Sequence, residues 1–198
     1  MPLKRIVPIA ITNDEKDGVG LLLRLRVPWL ILGLIGGTAA SFIVSRFEVV
    51  LSDNISLAFF LPVIVYMSDA VGTQTETIFV RDLARGKASF TGYLIKEFAL
   101  GLVIGSIFGI LIGLISYFWI GSVGIALTVG LAMSVNVALA PIIALLVPEI
   151  LFKEHTDPAL GGGPFTTIIQ DIVSILVYFL IATTILFALN FFTAFVKN

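Results

Sequence analysis

Apolar and polar positions divide this chain into long blocks rather than short alternations. Val27 to Ser45 is uncharged and lies between Arg26 and Arg46. A second apolar block opens near Asn54 and closes by Arg81, with Asp69 and Glu76 inside it. From Phe98 to Pro148 there are 51 residues without a charge. A helix crosses the hydrocarbon core with about 20 apolar residues, so this run predicts two spans. The segment "YFWIGSVG" divides it, with Tyr117 and Trp119 as interfacial aromatics and Gly121 and Ser122 as the turn. After the loop "KEHTDPALGGGP", a fifth block runs from about Phe165 to Val196 with one charge, Asp171. The pattern predicts an all-α integral membrane protein with five transmembrane helices.

Residues 1–26 read as an N-terminal segment in which "NDEKDGVGLLLRLR" suits a short interfacial helix or an ordered polar lead-in equally well. Mixed charges and the lack of a small-residue cleavage site argue against a signal peptide. Residues 27–198 read as one transmembrane domain, with no internal repeat, no low-complexity tract and no room for a soluble domain. Composition agrees: 58% of residues are hydrophobic, 13% are charged and the mean hydropathy is +1.09. A soluble domain carries about 25% charged residues, so the expected solvent is membrane lipid. The net charge of −1 gives no sign of nucleic-acid binding. With no cysteine, disulfides, thiolate metal sites and thiol chemistry are excluded.

Basic residues set the expected orientation. With five spans, Lys4, Arg5, Lys16, Arg24, Arg26, Arg81, Arg85, Lys87, Lys96 and Lys153 fall on one side, and only Arg46 and Lys197 on the other. This predicts a multi-pass protein of the cell (inner) membrane, with a cytoplasmic N-terminus and an extracytoplasmic C-terminus. In the third span Gly101, Gly105, Gly109 and Gly113 recur every four residues. That spacing puts a ribbon of glycines on one face for close helix packing, within a protomer or between protomers.

The carboxylates at membrane depth are Asp69, Glu76, Glu97 and Asp171. A charge at mid-bilayer costs about 2.5–3.5 kcal/mol on insertion scales and must face protein or water. Glu97 sits beside Lys96, in reach of the interface, and Glu76 lies close enough to Arg81 to pair with it. Asp171 is the strongest candidate, about two turns into the fifth span. Thr167, Asp171, Ser174 and Tyr178 follow i, i+4, i+7, i+11, a polar stripe on an apolar helix. In the second span Asp69, Thr73 and either Glu76 or Thr77 do the same. Facing each other, the two stripes would line a wet path of negative charge and oxygen donors. Soft metals are poorly served by such a set, whereas Mg²⁺ can be held largely hydrated. Proton or sodium coupling needs the same residue types, as does polar glue between helices. His155, alone in the loop between the fourth and fifth spans, is expected to be solvated.

Two stretches carry a family resemblance. "MSDAVGTQTETIFVRDLARGK", with Pro62 upstream, resembles the second transmembrane helix of MgtE-type magnesium channels, a Pro followed by "GGN-x-G-x-Q", a hydroxyl and "R-x-L-A". Pro62, Gly72, Gln74, Thr77, Arg81, Leu83 and Ala84 fit that pattern. "DPALGGGPFTTIIQDIVSILVYFLIA" resembles the family's run into its last helix, with Asp157, Pro158, Ala159, Pro164, Asp171 and Tyr178 in place. The resemblance spans roughly residues 20 to 195. It implies a homodimer whose ion path lies between protomers, lined by the second and fifth helices. It also implies that Asp171 of each protomer is the main ligand of hydrated Mg²⁺, with Thr167 and Gly163 at pore-facing positions. Mg²⁺ is then the transported ion, and no organic cofactor is implied.

The chain departs from the family where "GGN" is replaced by Ser68, Asp69 and Ala70, and where Glu76 replaces a small residue. The sensor domains typical of bacterial members, a helical domain and paired CBS modules, do not occur in these 198 residues. A separate regulatory subunit, self-regulation by the pore, or a trimmed chain would account for that. The expected site is Asp171, Thr167, Asp69, Thr73, Glu76, Thr77 and Gly163. The competing readings are a Na⁺- or H⁺-coupled carrier using Asp69 and Glu76, and a membrane subunit that docks a regulatory partner. No Ser–His, His-x-x-Glu-His or paired-aspartate protease signature supports an enzyme.

Overall fold

The computed structural model describes residues 18–154 and 158–196, the side chains of 158–161 and 190–196 excepted. The first 17 residues of the N-terminal segment, and His155 to Asp157, lie outside the described residues. Six helices follow in chain order: α1 (Val19–Ser45), α2 (Glu48–Asp53), α3 (Ser56–Ala84), α4 (Phe90–Ile120), α5 (Val123–Lys153) and α6 (Pro158–Val196). All but α2 include stretches long and apolar enough to cross a membrane.

The expected break between the third and fourth spans falls where the turn residues sit. Gly121 adopts a left-handed conformation (φ 75°) that a side chain would disfavour, and its N–H returns to the Tyr117 carbonyl at 2.8 Å. Ser122 then caps α5 by accepting from the Ile125 N–H at 3.4 Å. Three boundaries differ from the hydrophobic pattern. α1 begins at Val19, so Arg24 and Arg26 lie on the first span's own helix. The hexapeptide α2 was not legible. α6 begins at Pro158, about two turns before the expected start, so the glycine-rich segment is helical rather than loop. Pro158 at a helix's first position loses no intrahelical bond.

α5 is the most buried span and packs against α3, α4 and α6, while α1 leans chiefly on α6. The glycine ribbon of α4 works within the protomer. Gly101, Gly105, Gly109 and Gly113 lie against Val137, Ser134, Gly130 and Ala126 of α5, close enough that an added Cβ would press on backbone carbonyls. On the other side of α5, Leu57, Phe60 and Ile64 of α3 and Tyr178, Phe179 and Ala182 of α6 complete the core. Phe179 stacks on Phe47 with ring centroids 4.5 Å apart.

Tyr178 is fully buried, and its hydroxyl donates to the Leu57 carbonyl at 2.6 Å, tying α6 to the start of α3. Tyr178→Phe is expected to cost about 1 kcal/mol. It should lower the thermal unfolding midpoint in detergent by about 2–4 °C.

Candidate functional site: an acidic cleft between α3 and α6

Both helices that carry the polar stripes pack on α5 and on each other. On α3 the residues Leu57, Phe60, Ile64, Ser68, Val71, Gly72, Thr75, Glu76 and Phe79 are buried, and this face meets α5 and α6. Asp69 is half-buried at the edge of that face, and Thr73 and Thr77 are exposed beyond it. The choice left open at the end of the stripe is thereby resolved. Thr77 continues the open face, and Glu76 turns inward.

On α6 the stripe also divides. Thr167 and Asp171 are half-buried, whereas Ser174 and Tyr178 point into the core. Gly163 is exposed, with open space where a side chain would project. The two open faces meet: Thr167 Oγ1 donates to Asp69 Oδ1 at 3.2 Å, across 98 positions of sequence. Asp69 lies within electrostatic range of both Asp171 and Glu76. The two helices thus join Thr167 to Asp69 and bring Asp171 within electrostatic range of Asp69, while Thr73 and Thr77 lie exposed on the same helix as Asp69. Among the described residues no three acidic or histidine side chains are close enough to chelate a bare metal ion.

Glu76 occupies a separate niche behind this face. Its Oε1 would lie 2.7 Å from a Cβ built on Gly162, so the carboxylate rests against the bare backbone of the first turns of α6. Thr166 lies beside it, and the buried Thr166 hydroxyl makes no well-formed hydrogen bond. Arg81, the partner expected for Glu76, pairs with Asp82 at 3.2 Å instead. Asp82 also accepts from the Tyr93 hydroxyl at 2.6 Å, pinning the end of α3 to α4. Glu97, expected within reach of the interface, is covered by protein. It is buried and accepts from Thr75 Oγ1 at 3.1 Å, a polar tie between α3 and α4.

Behind the cleft lies a cluster that sequence reasoning passed over. Ser68, Asn136, Gln170 and Ser174, each only 1% exposed, meet where α3, α5 and α6 converge. Gln170 Nε2 donates to the Ser68 carbonyl and, at 3.1 Å, to Ser68 Oγ. Ser68 and Ser174 share a hydroxyl bond of 3.1 Å, and Ser68 Oγ lies 3.4 Å from the Asn136 carbonyl. Asn136 Nδ2 donates to the Ser174 carbonyl at 3.3 Å. The signal was present in the sequence. Asn136 is the one amide in the uncharged run from Phe98 to Pro148, and Gln170 stands beside Asp171 in the fifth apolar block, where polar side chains must find protein partners.

The fold defines a class: an all-α bundle with five helices long and apolar enough to cross a membrane, two of which bring carboxylates and hydroxyls together. The chain belongs to the MgtE family, described as a divalent cation transporter, whose profile matches residues 61–181. It is 34% identical to the magnesium transporter MgtE of Bacillus subtilis (strain 168) over 182 residues, 90% of this chain and 40% of that protein. The magnesium transporter MgtE of Enterococcus faecalis is 31% identical over 80% of this chain and 36% of its own length. That of Thermus thermophilus is 29% identical over 81% and 36%. The chain thus spans well under half the length of these relatives.

Proposed function

We propose that this chain is a cation-conducting transmembrane domain, residues 27–198, that passes divalent cations, Mg²⁺ foremost, across the cell (inner) membrane. The observation that carries the proposal is the cleft. In an otherwise apolar bundle, half-buried Asp69 and Asp171 lie within electrostatic range of each other, Thr167 is bonded to Asp69, and Thr73 and Thr77 are exposed on the same helix as Asp69. That the relatives are magnesium transporters supports the same reading.

The donor set suits a hydrated ion. Mg²⁺ sheds its water shell reluctantly. Two carboxylates supply attraction at a distance, and hydroxyls bond to the shell. Gly163, with open space before it, leaves room for that shell near the start of α6. The openness of this face fits a homodimer in which two clefts join into one path, Asp171 of each protomer facing the same ion. Glu76, behind the path, adds negative potential without touching the ion. The excess of basic residues on one side supports a cytoplasmic N-terminus and an extracytoplasmic C-terminus. Regulation would come from a separate subunit or from segments matching the remainder of the relatives.

Purified protein in liposomes is expected to admit Mg²⁺ down its own gradient without any Na⁺ or proton gradient, in a series that includes Mn²⁺, Co²⁺ and Ca²⁺. Flux that demands a Na⁺ or pH gradient would overturn the conducting reading in favour of a coupled carrier. No flux of any ion would point to a docking subunit.

A further inference from the structure

Ser68 and Gln170 immediately precede Asp69 and Asp171 in the chain. Consecutive helical residues point about 100° apart, so a carboxylate at the cleft has an inward-facing predecessor. Here the two predecessors are bonded to each other. Gln170 gives its amide hydrogens to the Ser68 carbonyl and hydroxyl, and Ser174 joins the same hydroxyl. On the cleft side Thr167 is bonded to Asp69. Three polar residues of α6, Thr167, Gln170 and Ser174, thus all bond to the dipeptide Ser68–Asp69. Gly72 makes the grip possible, since a Cβ there would overlap the Gln170 amide.

We infer that Gln170 and Ser68 are positioning residues for the ion path: they fix the register of α6 against α3 and thereby the separation of Asp69 from Asp171. The inference rests on the proposed role of those two carboxylates. It goes beyond the family pattern, because Ser68 and Asp69 stand where the resembling motif has glycines. The donors of the cluster are spent on its own acceptors, which suits a brace, while Asn136 Oδ1 and Gln170 Oε1 keep no hydrogen-bond partner. A brace of this kind matters because a hydrated dication is held through water. Half-saturation and the ranking of ions then depend on how far apart the two carboxylates stand. A slide of α6 by even part of a turn would change that distance and break all three contacts together.

The test is Mg²⁺ and Mn²⁺ flux in proteoliposomes with Gln170→Leu, which keeps bulk and removes the amide, and with Ser68→Ala, which removes one hydroxyl. Half-saturation by Mg²⁺ is expected to rise about tenfold in Q170L, the low end for groups that orient metal-binding side chains. The Mg²⁺-over-Mn²⁺ ranking should flatten, and the maximal rate should change much less. S68A should shift in the same direction and by less, and it carries the test if Q170L does not fold. A lower unfolding midpoint with unchanged half-saturation and ranking would overturn the inference and leave the cluster as packing. D171N run alongside separates the two claims. Normal flux there would sink the cleft as the path, whereas lost flux there with unaltered Q170L constants sinks only the positioning role.

Discussion

Asp171→Asn is expected to cut Mg²⁺ uptake into proteoliposomes by about two orders of magnitude, with the unfolding midpoint in detergent within about 2 °C of the parent. The argument is electrostatic. A carboxylate about 5 Å from a hydrated dication, in a path as polarisable as water, attracts it by about 1.7 kcal/mol. In the proposed homodimer two such residues face one ion, so neutralising both removes about 3 kcal/mol of occupancy. Asparagine keeps the shape. Asp171 makes no side-chain hydrogen bond among the described residues, and the charge that acts on it is the like charge of Asp69. Losing the Asp171 charge therefore relieves repulsion inside the protomer, and stability has no reason to fall. Parent-like flux in this variant would remove Asp171 from the path.

Gly109→Leu should produce the largest loss of stability. A Cβ at Gly109 would overlap the Ser134 hydroxyl and lie 2.5 Å from the Gly130 carbonyl oxygen. The Gly130 carbonyl cannot rotate away without breaking α5, so the helices must separate. Overpacking of this kind costs about 3 kcal/mol or more, a drop of about 6–12 °C in the unfolding midpoint. Gly113→Ala is the internal control. Its nearest contact would be 3.3 Å, to the Ala126 carbonyl oxygen, and about 1 kcal/mol or less is expected. Equal effects from the two variants would show that α4 and α5 are not packed through this ribbon.

The five spans were legible because a membrane reduces helix recognition to length and charge. Val27–Ser45 and the 51-residue run needed only a ruler and the Gly121–Ser122 turn. The start of α6 was misjudged because three glycines and a proline read as loop chemistry. In the structure Gly162 is helical, and its bare backbone is what leaves room for Glu76. Periodicity brought Thr167, Asp171, Asp69 and Thr73 to the right helices. It did not separate Glu76 from Thr77, since adjacent residues differ by only about 100° and neighbouring helices decide which one is covered. The brace was hidden for a related reason. Ser68, Asn136 and Gln170 are far apart in sequence, and only the meeting of α3, α5 and α6 brings them together.

The seating of α1 has a mechanical consequence. This helix leans chiefly on α6, and at that contact Gly36 is pressed against Ile168, the residue next to Thr167. Much of the rest of α1, Leu34 and Ile35 among it, is exposed. α1 is thus seated on α6 through its middle, one residue from Thr167 of the proposed ion path. If α6 adjusts around a passing ion, Ile168 would pass that movement to α1 as a tilt. Conversely, a bilayer that tilts α1 would act on the proposed path through that same contact.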